Sequence, residues 1–240
     1  MCGRYQLTLP LEALRDIFEF QNEAEPFPAR YNIAPTQPIH VVREAARMRE
    51  LTLVRWGLLP PWVKEPQKFP LMINARSETA AEKPAFRNAL RRRRALIPAT
   101  GFYEWRREGK FKQPYFFEPE APIALAGIWE TWSGPNGEEM ETALILTGGA
   151  EGVPAEFHDR MPLTVPRSNF AAWLDPANDN GAEALTLTEK AAYRAHEVSR
   201  RLSNARNEGA GLMMPDPAAP AAAEPATVAP EEDEDAPRLL

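Results

Sequence analysis

Residues 95–147 read ALIPATGFYEWRREGKFKQPYFFEPEAPIALAGIWETWSGPNGEEMETALILT. Five short runs rich in aliphatic and aromatic side chains stand out: Ala95 to Ile97, Gly101 to Trp105, Pro114 to Phe117, Ile123 to Trp129 and Thr142 to Thr147. Gly109, Pro119 and Pro135-Asn136-Gly137 punctuate them as turns. Strands this short and close together, with no room for helices between them, predict an α+β fold. Its centre is a mostly antiparallel sheet curved toward a barrel, not a doubly wound parallel sheet.

Upstream, Ile39 to Val42 and Met48 to Trp56 alternate like a further pair of strands, with Met48, Leu51, Leu53 and Val54 as the apolar positions. Prolines at 26, 28, 35 and 38 predict an irregular connection over 21–37. Leu11, Leu14, Ile17 and Phe18 predict an amphipathic helix over 10–20, with Thr8 as its cap. Peripheral helices are also expected over 83–93, 168–174 and 188–197. With no repeat and no linker before residue 215, residues 1–214 form one expected domain.

The net charge of -6 over 240 residues is misleading until it is divided. Residues 215–240 hold seven acidic side chains and one basic one, so this segment alone carries -6 and the remaining 214 residues are neutral. Rich in proline and alanine, the segment has too little apolar bulk to offset the entropy of ordering, and we expect it to be disordered. The run Arg91 to Arg94 is the obvious basic patch, yet arginine outnumbers lysine 22 to 6 throughout. A local cluster therefore carries little information by itself.

The chain has one cysteine, Cys2, directly after Met1. This excludes an intramolecular disulfide, and the absence of any CxxC, with His40, His158 and His196 far apart, argues against a structural zinc site. No stretch approaches the length of a membrane span, and no apolar leader opens the chain, so a cytoplasmic setting without membrane or metal partners is expected. Cys2 reads either as a small apolar filler or, with Met1 removed, as an α-amine and a thiol on one carbon skeleton. That pair captures aldehydes, the amine forming an imine and the thiolate closing a five-membered thiazolidine ring.

Four polar motifs fall where loops or strand ends are expected: Asn32 to Thr36, Asn74 to Thr79, Gly101 to Trp105 and His158 to Pro162. Each residue has two readings. Glu104, between Tyr103 and Trp105, is either a desolvated proton carrier or a carboxylate on a wet strand face. His158 is a second proton carrier or a turn histidine. Asn74 orients an amine or sugar hydroxyl, or it closes a turn. Arg76 and Arg160 grip phosphates, or pair with Glu78 and Asp159. Trp62 and Trp105 offer faces on which single-stranded bases stack, or they are core.

These motifs, with Met1-Cys2-Gly3-Arg4 at the start, Arg55 to Pro60 and Val198-Ser199, occur in one order over residues 1 to about 214. In that order they resemble the SOS response-associated peptidase (SRAP) family. The resemblance implies a curved antiparallel sheet with peripheral helices and self-processing that removes Met1. It also implies covalent attachment of Cys2 to abasic sites in single-stranded DNA, with no cofactor. Carried over, Cys2 is the nucleophile, Asn74 orients it, Glu104 and His158 manage protons, Arg4, Arg76 and Arg160 hold phosphates, and Trp62 and Trp105 stack. Phe157 stands where an aliphatic residue is more usual, and Val63 where some members carry a second aromatic. A cysteine peptidase acting in trans and a non-catalytic single-strand binding module are the alternatives, and a monomer is expected.

Overall fold

A computed structural model describes residues 2–109 and 111–216. In chain order the strands are β1 Tyr5–Leu7, β2 Arg30–Ile33, β3 Pro38–Ala45, β4 Met48–Trp56, β5 Asn74–Arg76, β6 Arg94–Ala99, β7 Gly101–Glu108, β8 Phe111–Pro119, β9 Ile123–Ser133, β10 Glu139–Gly149, β11 Arg160–Pro162 and β12 Tyr193–Glu197. The helices are α1 Leu11–Phe18, α2 Ser77–Ala80, α3 Arg87–Arg92, α4 Phe170–Leu174 and α5 Gly181–Leu185, with short 3-10 turns between elements.

The quoted stretch forms β6 to β10, as its punctuation predicts. Strands β10, β4, β3, β6 and β9 pair in that order, and β9 pairs back to β10, so five strands close a ring. Every pairing in the ring is antiparallel except β4 with β10. The ring closes because β9 and β10 are long enough to pair with each other and still reach β6 and β4. Residues on both faces of the ring, such as Val41 and Leu125 on one and Leu96, Ile128 and Leu144 on the other, are wholly buried. β6 is buried at all six positions, with its outer side covered by α4, whose Trp173 indole donates to the Ala95 carbonyl at 3.0 Å. That double coverage explains why its sequence is continuously apolar after Arg94 rather than alternating.

A second, five-stranded antiparallel sheet runs β12-β8-β7-β1-β2. At its centre, Gly101 opens β7 where a Cβ would lie 2.3 Å from the Phe116 ring, so β8 can pack closely only over glycine. The outer face of β7 and β8 is covered by the segment after β12, where Val198, Leu202 and Leu212 pack on Tyr103 and Phe116.

Several local expectations are corrected. Helix α1 forms, but its cap position is Pro10, and the Thr8 hydroxyl instead meets that of Thr100 at 3.3 Å. Segment 21–37 is not wholly irregular, because β2 lies in it as a sheet edge. Met48 and Leu53 are exposed, while Leu51, Val54 and Trp56 carry the burial of β4. The helix expected over 188–197 is strand β12 instead. Its residues pair with β8 from Tyr193↔Pro119 to Glu197↔Tyr115, since an open sheet edge beside Ala191 to His196 outweighs alanine's helical preference. Residues 217–240 of the expected tail lie outside the described residues, as does Met1. Asp216 is still anchored, accepting from the Ser199 hydroxyl at 2.6 Å and the Arg200 amide at 3.0 Å.

Candidate active site and nucleic-acid interface

The chain start runs into the seam between the two sheets. Tyr5 and Gln6 pair with Phe102 and Gly101, and the Tyr103 amide donates to the Arg4 carbonyl at 2.9 Å. This antiparallel register carries Cys2 and Gly3 past Glu104. From the other side, β5 pairs with β10, Asn74 opposite Ile145, and the Asn74 amide donates to the Cys2 carbonyl at 2.9 Å. The two sheets thus deliver the cysteine, the amide and the carboxylate to one place.

Cys2 is wholly buried. Burial first, and the Glu104 carboxylate second, push its thiol well above its ordinary range. Its sulfur makes a 4.0 Å contact to the Arg4 carbonyl, an acceptor that suits S–H. Glu104 is 8% exposed, and burial, with a smaller contribution from Asp159, raises its carboxyl above the usual carboxylate range. The desolvated reading of Glu104 is the one the structure supports.

Glu104 and His158 line one open cleft of about 570 Å3, together with Arg4, Trp105, Arg107, Lys112 and Ser203. His158 follows the 3-10 turn Val153–Glu156, its amide bonded to the Pro154 carbonyl at 3.1 Å. Its Nδ1 lies 2.9 Å from the Arg160 amide and 2.7 Å from Asp159 Oδ1. The amide favours a neutral ring with a lone pair at Nδ1, and Asp159 favours the imidazolium. Partial burial is the main cause that lowers its pKa, outweighing the opposing charge of Asp159, so the neutral form is favoured.

The expected phosphate-holding arginines divide into two kinds. Arg160 makes a fork to Glu78, with both N···O distances 2.7 Å, and reaches the Thr147 carbonyl. Arg4 donates to Asn32 Oδ1 at 2.6 Å and the Leu202 carbonyl at 2.8 Å, and its guanidinium lies 5.7 Å from the Trp105 ring centre. Both are held by the protein itself, so the expectation that they grip phosphate requires sharing or exchange of these partners. Arg76 is exposed, its side chain making no hydrogen bond or ion pair among the described residues.

Trp105 donates to the Ser203 hydroxyl at 3.1 Å at the cleft wall. Trp62 is 58% exposed and packs edge-on against Phe69 on a separate surface loop, outside the lining of the Glu104 cleft. Phe157 packs its ring against Tyr115 and Phe117, with Arg106 over its face at 4.9 Å.

Sequence reading assigned no role to Arg107 or Lys112. The register sets Arg107 directly opposite Lys112 across β7 and β8. Both are exposed, both line the cleft, and neither has a carboxylate partner among the described residues. Like charges opposed across a ladder are unfavourable unless an anion sits between them. The signal available in the sequence was the turn at Gly109, which fixes that pairing.

Beneath the cleft, Asn74 Oδ1 and the hydroxyls of Tyr5 and Tyr193 are buried without hydrogen-bond partners among the described residues. Each such group costs about 1–3 kcal/mol. Among the described residues no group of three or more His, Cys, Asp or Glu is placed to hold a metal ion, and no helix is long and apolar enough to cross a membrane.

The barrel-like ring and the flanking sheet bury the residue-2 cysteine beside a cleft lined by a carboxyl and an imidazole. The family model described as SOS response associated peptidase (SRAP) matches residues 1–205, and the chain belongs to that family. Among its relatives, the abasic site processing protein YoqW of Bacillus subtilis is 35% identical over 222 residues, covering 89% of this chain and 99% of its own. The abasic site processing protein YedK of Escherichia coli is 33% identical over 227 residues, 90% of this chain and 100% of its own. The abasic site processing protein HMCES of Xenopus tropicalis is 27% identical over 256 residues, 86% and 76%. A solved structure from Bordetella bronchiseptica superposes with TM-score 0.69 at 28% identity, covering 82% of this chain and 100% of that one. One from Bacteroides thetaiotaomicron, with TM-score 0.70 at 23% identity over 83% and 93%, shows the shared fold.

Proposed function

We propose that the protein senses abasic sites in single-stranded DNA and links itself to them as a thiazolidine through the amine and thiol of Cys2, once Met1 is gone. The observation that carries this reading is the junction itself, where the Asn74 amide holds Cys2 beneath a cleft lined by Glu104 and His158. The relatives named as abasic site processing proteins support it.

An abasic deoxyribose rests mostly as a closed hemiacetal, so opening to the aldehyde needs a base at the hydroxyl and an acid at the ring oxygen. His158, favoured neutral, serves as the base, and Glu104, whose pKa burial raises, serves as the acid. The proton taken up by His158 returns to Glu104 through solvent, and the Cys2 amine then adds to the aldehyde. Proton delivery by Glu104 to the carbinolamine hydroxyl releases water and leaves an iminium with Glu104 ionised. Closure forms the S–C bond, moves the C=N π pair onto nitrogen and returns the thiol proton to Glu104. Amine, thiol and aldehyde thus become one thiazolidine and one water. Closure also removes the iminium that would otherwise favour β-elimination and strand breakage.

Arg107, Lys112 and Arg76 supply the charges that hold the DNA backbone, and Trp105 supplies a stacking wall. Removal of Met1 is assigned to the same residues acting as a self-processing peptidase. A peptidase acting in trans fits less well, because burial pushes the thiol up and disfavours a free thiolate attacking external peptides.

The test is incubation of mature protein with an abasic single-stranded oligonucleotide, followed by denaturing electrophoresis. Wild type should give a denaturation-resistant conjugate, and Cys2→Ala none. Equal conjugate from both would end the proposal. Intact mass of the starting protein checks that Met1 is absent.

A further inference from the structure

The polar motif Asn32 to Thr36 has no part in the chemistry above, yet its first residue is wholly buried. Asn32 lies in the edge strand β2, where Ile33 stands opposite Tyr5 of β1, and its side chain comes within reach of Arg4. Its Nδ2 donates to the Asn207 carbonyl at 2.8 Å and lies 3.1 and 3.2 Å from the Asn204 and Leu202 carbonyls. Those carbonyls belong to the segment after β12, whose Ser203 hydroxyl accepts from the Trp105 indole. At its other end, Asn32 Oδ1 accepts from Arg4 Nη1 at 2.6 Å. One amide thus ties Arg4 to the segment that holds Trp105, and Arg4, Trp105 and Ser203 all line the cleft.

Satisfying the segment's carbonyls accounts for Nδ2. It does not account for what Oδ1 does. Arg160 is held by a carboxylate, Glu78, which neutralises it. Arg4 meets only neutral acceptors among the described residues, Asn32 Oδ1 and the Leu202 carbonyl, and both take their hydrogen bonds from Nη1. Its Nε is buried without a partner, whereas Nη2 is neither hydrogen-bonded nor buried. Set 5.7 Å from the Trp105 ring centre, the guanidinium is fixed in place with its charge uncompensated and donors still free. A planar fork of that kind suits phosphate oxygens.

We infer that Asn32 is a positioning residue for DNA binding: it fixes Arg4 beside Trp105 through a neutral acceptor, so that the charge of the guanidinium remains for a backbone phosphate. The inference rests on the proposed binding of single-stranded DNA and deepens it. An aspartate at this position would hold Arg4 more strongly, since charge-assisted hydrogen bonds are the stronger kind. It would also cancel the charge that the phosphate needs.

Mature full-length wild type, Asn32→Asp, Asn32→Ala, Arg4→Gln and the two double variants are titrated with a single-stranded oligonucleotide carrying a reduced abasic site. This probe has no aldehyde and binds without crosslinking. Titrations run at several salt concentrations, and melting temperatures are recorded alongside. Asn32→Asp should make the slope of log K against log salt shallower by about 0.7, the contribution of one phosphate. Asn32→Ala should keep the wild-type slope, because the charge remains, and weaken binding about fivefold through the lost hydrogen bond. In the Arg4→Gln background neither substitution should change slope or affinity further. An unchanged slope in Asn32→Asp or in Arg4→Gln overturns the inference, as does an effect of either Asn32 substitution that persists without Arg4. Should Asn32→Asp fail to fold, the cycle of Asn32→Ala with Arg4→Gln decides alone. Failure of both Asn32 variants to fold overturns the inference, because the amide would then serve the fold. Crosslinking is read separately with the unreduced abasic oligonucleotide. A wild type that binds but forms no denaturation-resistant conjugate ends the crosslinking proposal and leaves the Asn32 result standing; a wild type that does not bind single-stranded DNA ends both.

Discussion

Two clusters of cationic side chains lie in this chain, and they are opposites. The run Arg91 to Arg94 is conspicuous in the sequence and almost entirely consumed by structure. Arg91 and Arg92 share Asp179, Arg93 pairs with Glu130 at 2.7 Å, and Arg94 is 3% exposed. The pair Arg107 and Lys112 is inconspicuous, separated in sequence by a turn, yet stands exposed on the cleft without an anionic partner among the described residues. Charge density along a chain therefore says little about anion binding. Charge left unneutralised by the fold says much more.

The sharpest way to break this comparison is at Arg94. Its guanidinium donates to the Trp173, Leu90, Arg91 and Asp175 carbonyls, at the last turn of α3 and the end of α4. One side chain thus closes two helix C-termini, where positive charge also opposes the helix dipoles. Arg94→Ala leaves several buried carbonyls unbonded, at about 1–3 kcal/mol each. A destabilisation of at least ~3 kcal/mol in denaturant melts is expected. A smaller loss would mean that water replaces the guanidinium and that the run is less structural than its geometry says.

The reverse is expected at the cleft. Arg107→Ala with Lys112→Ala removes a like-charge cross-strand pair, so stability should hold or rise slightly. Binding of single-stranded DNA should weaken, and the slope of log K against log salt should become shallower by about 1.4, at about 0.7 for each phosphate no longer neutralised. Titrations at several salt concentrations decide this. An unchanged slope would remove these residues from the DNA path.

Arg160 lies between the two kinds, and its partner can be titrated. The hydrogen bonds from Arg160 are the main cause of the depression of the Glu78 carboxyl to about 2, from an ordinary 4.5. A depressed acid contributes stability that is present above its unfolded value and lost as pH falls through its folded one. The difference in melting temperature between wild type and Glu78→Gln should therefore be constant above about pH 5 and shrink from pH 4.5 toward 2. Glu78 is half exposed, so screening limits its size to less than about 1 kcal/mol.

What is legible in the sequence follows from range. Helix α1 can be read because its stripe is local, and β6 to β10 because turn residues bracket them. Closure of the ring cannot be read, since β4 with β10 pairs residues nearly ninety positions apart in a parallel register that no local pattern encodes. Strand β12 reads wrongly as a helix because alanines favour one locally, and the open edge of β8 that captures them is a tertiary fact. The site divides the same way. Cys2, Asn74, Glu104 and His158 can be nominated from residue type and motif. That Arg4 and Arg160 are bound within the protein, that Arg107 faces Lys112, and that two phenols are left unbonded are consequences of register and burial.

The smallest expected effect completes the contrast. Arg91 is about half exposed, shares Asp179 with Arg92, and also reaches the Asp179 carbonyl at 3.1 Å. Removing it leaves the carboxylate paired with Arg92, and a surface ion pair of this kind contributes at most about 0.5 kcal/mol. Arg91→Ala should thus change the denaturation midpoint barely beyond error and leave the salt slope of DNA binding unaltered. If the slope became shallower by about 0.7, the run would be reaching DNA despite its internal partners. An arginine would then be able to exchange a surface carboxylate for a phosphate at little cost, and the same exchange would become available to Arg160 beside His158, whose Glu78 partner is likewise half exposed.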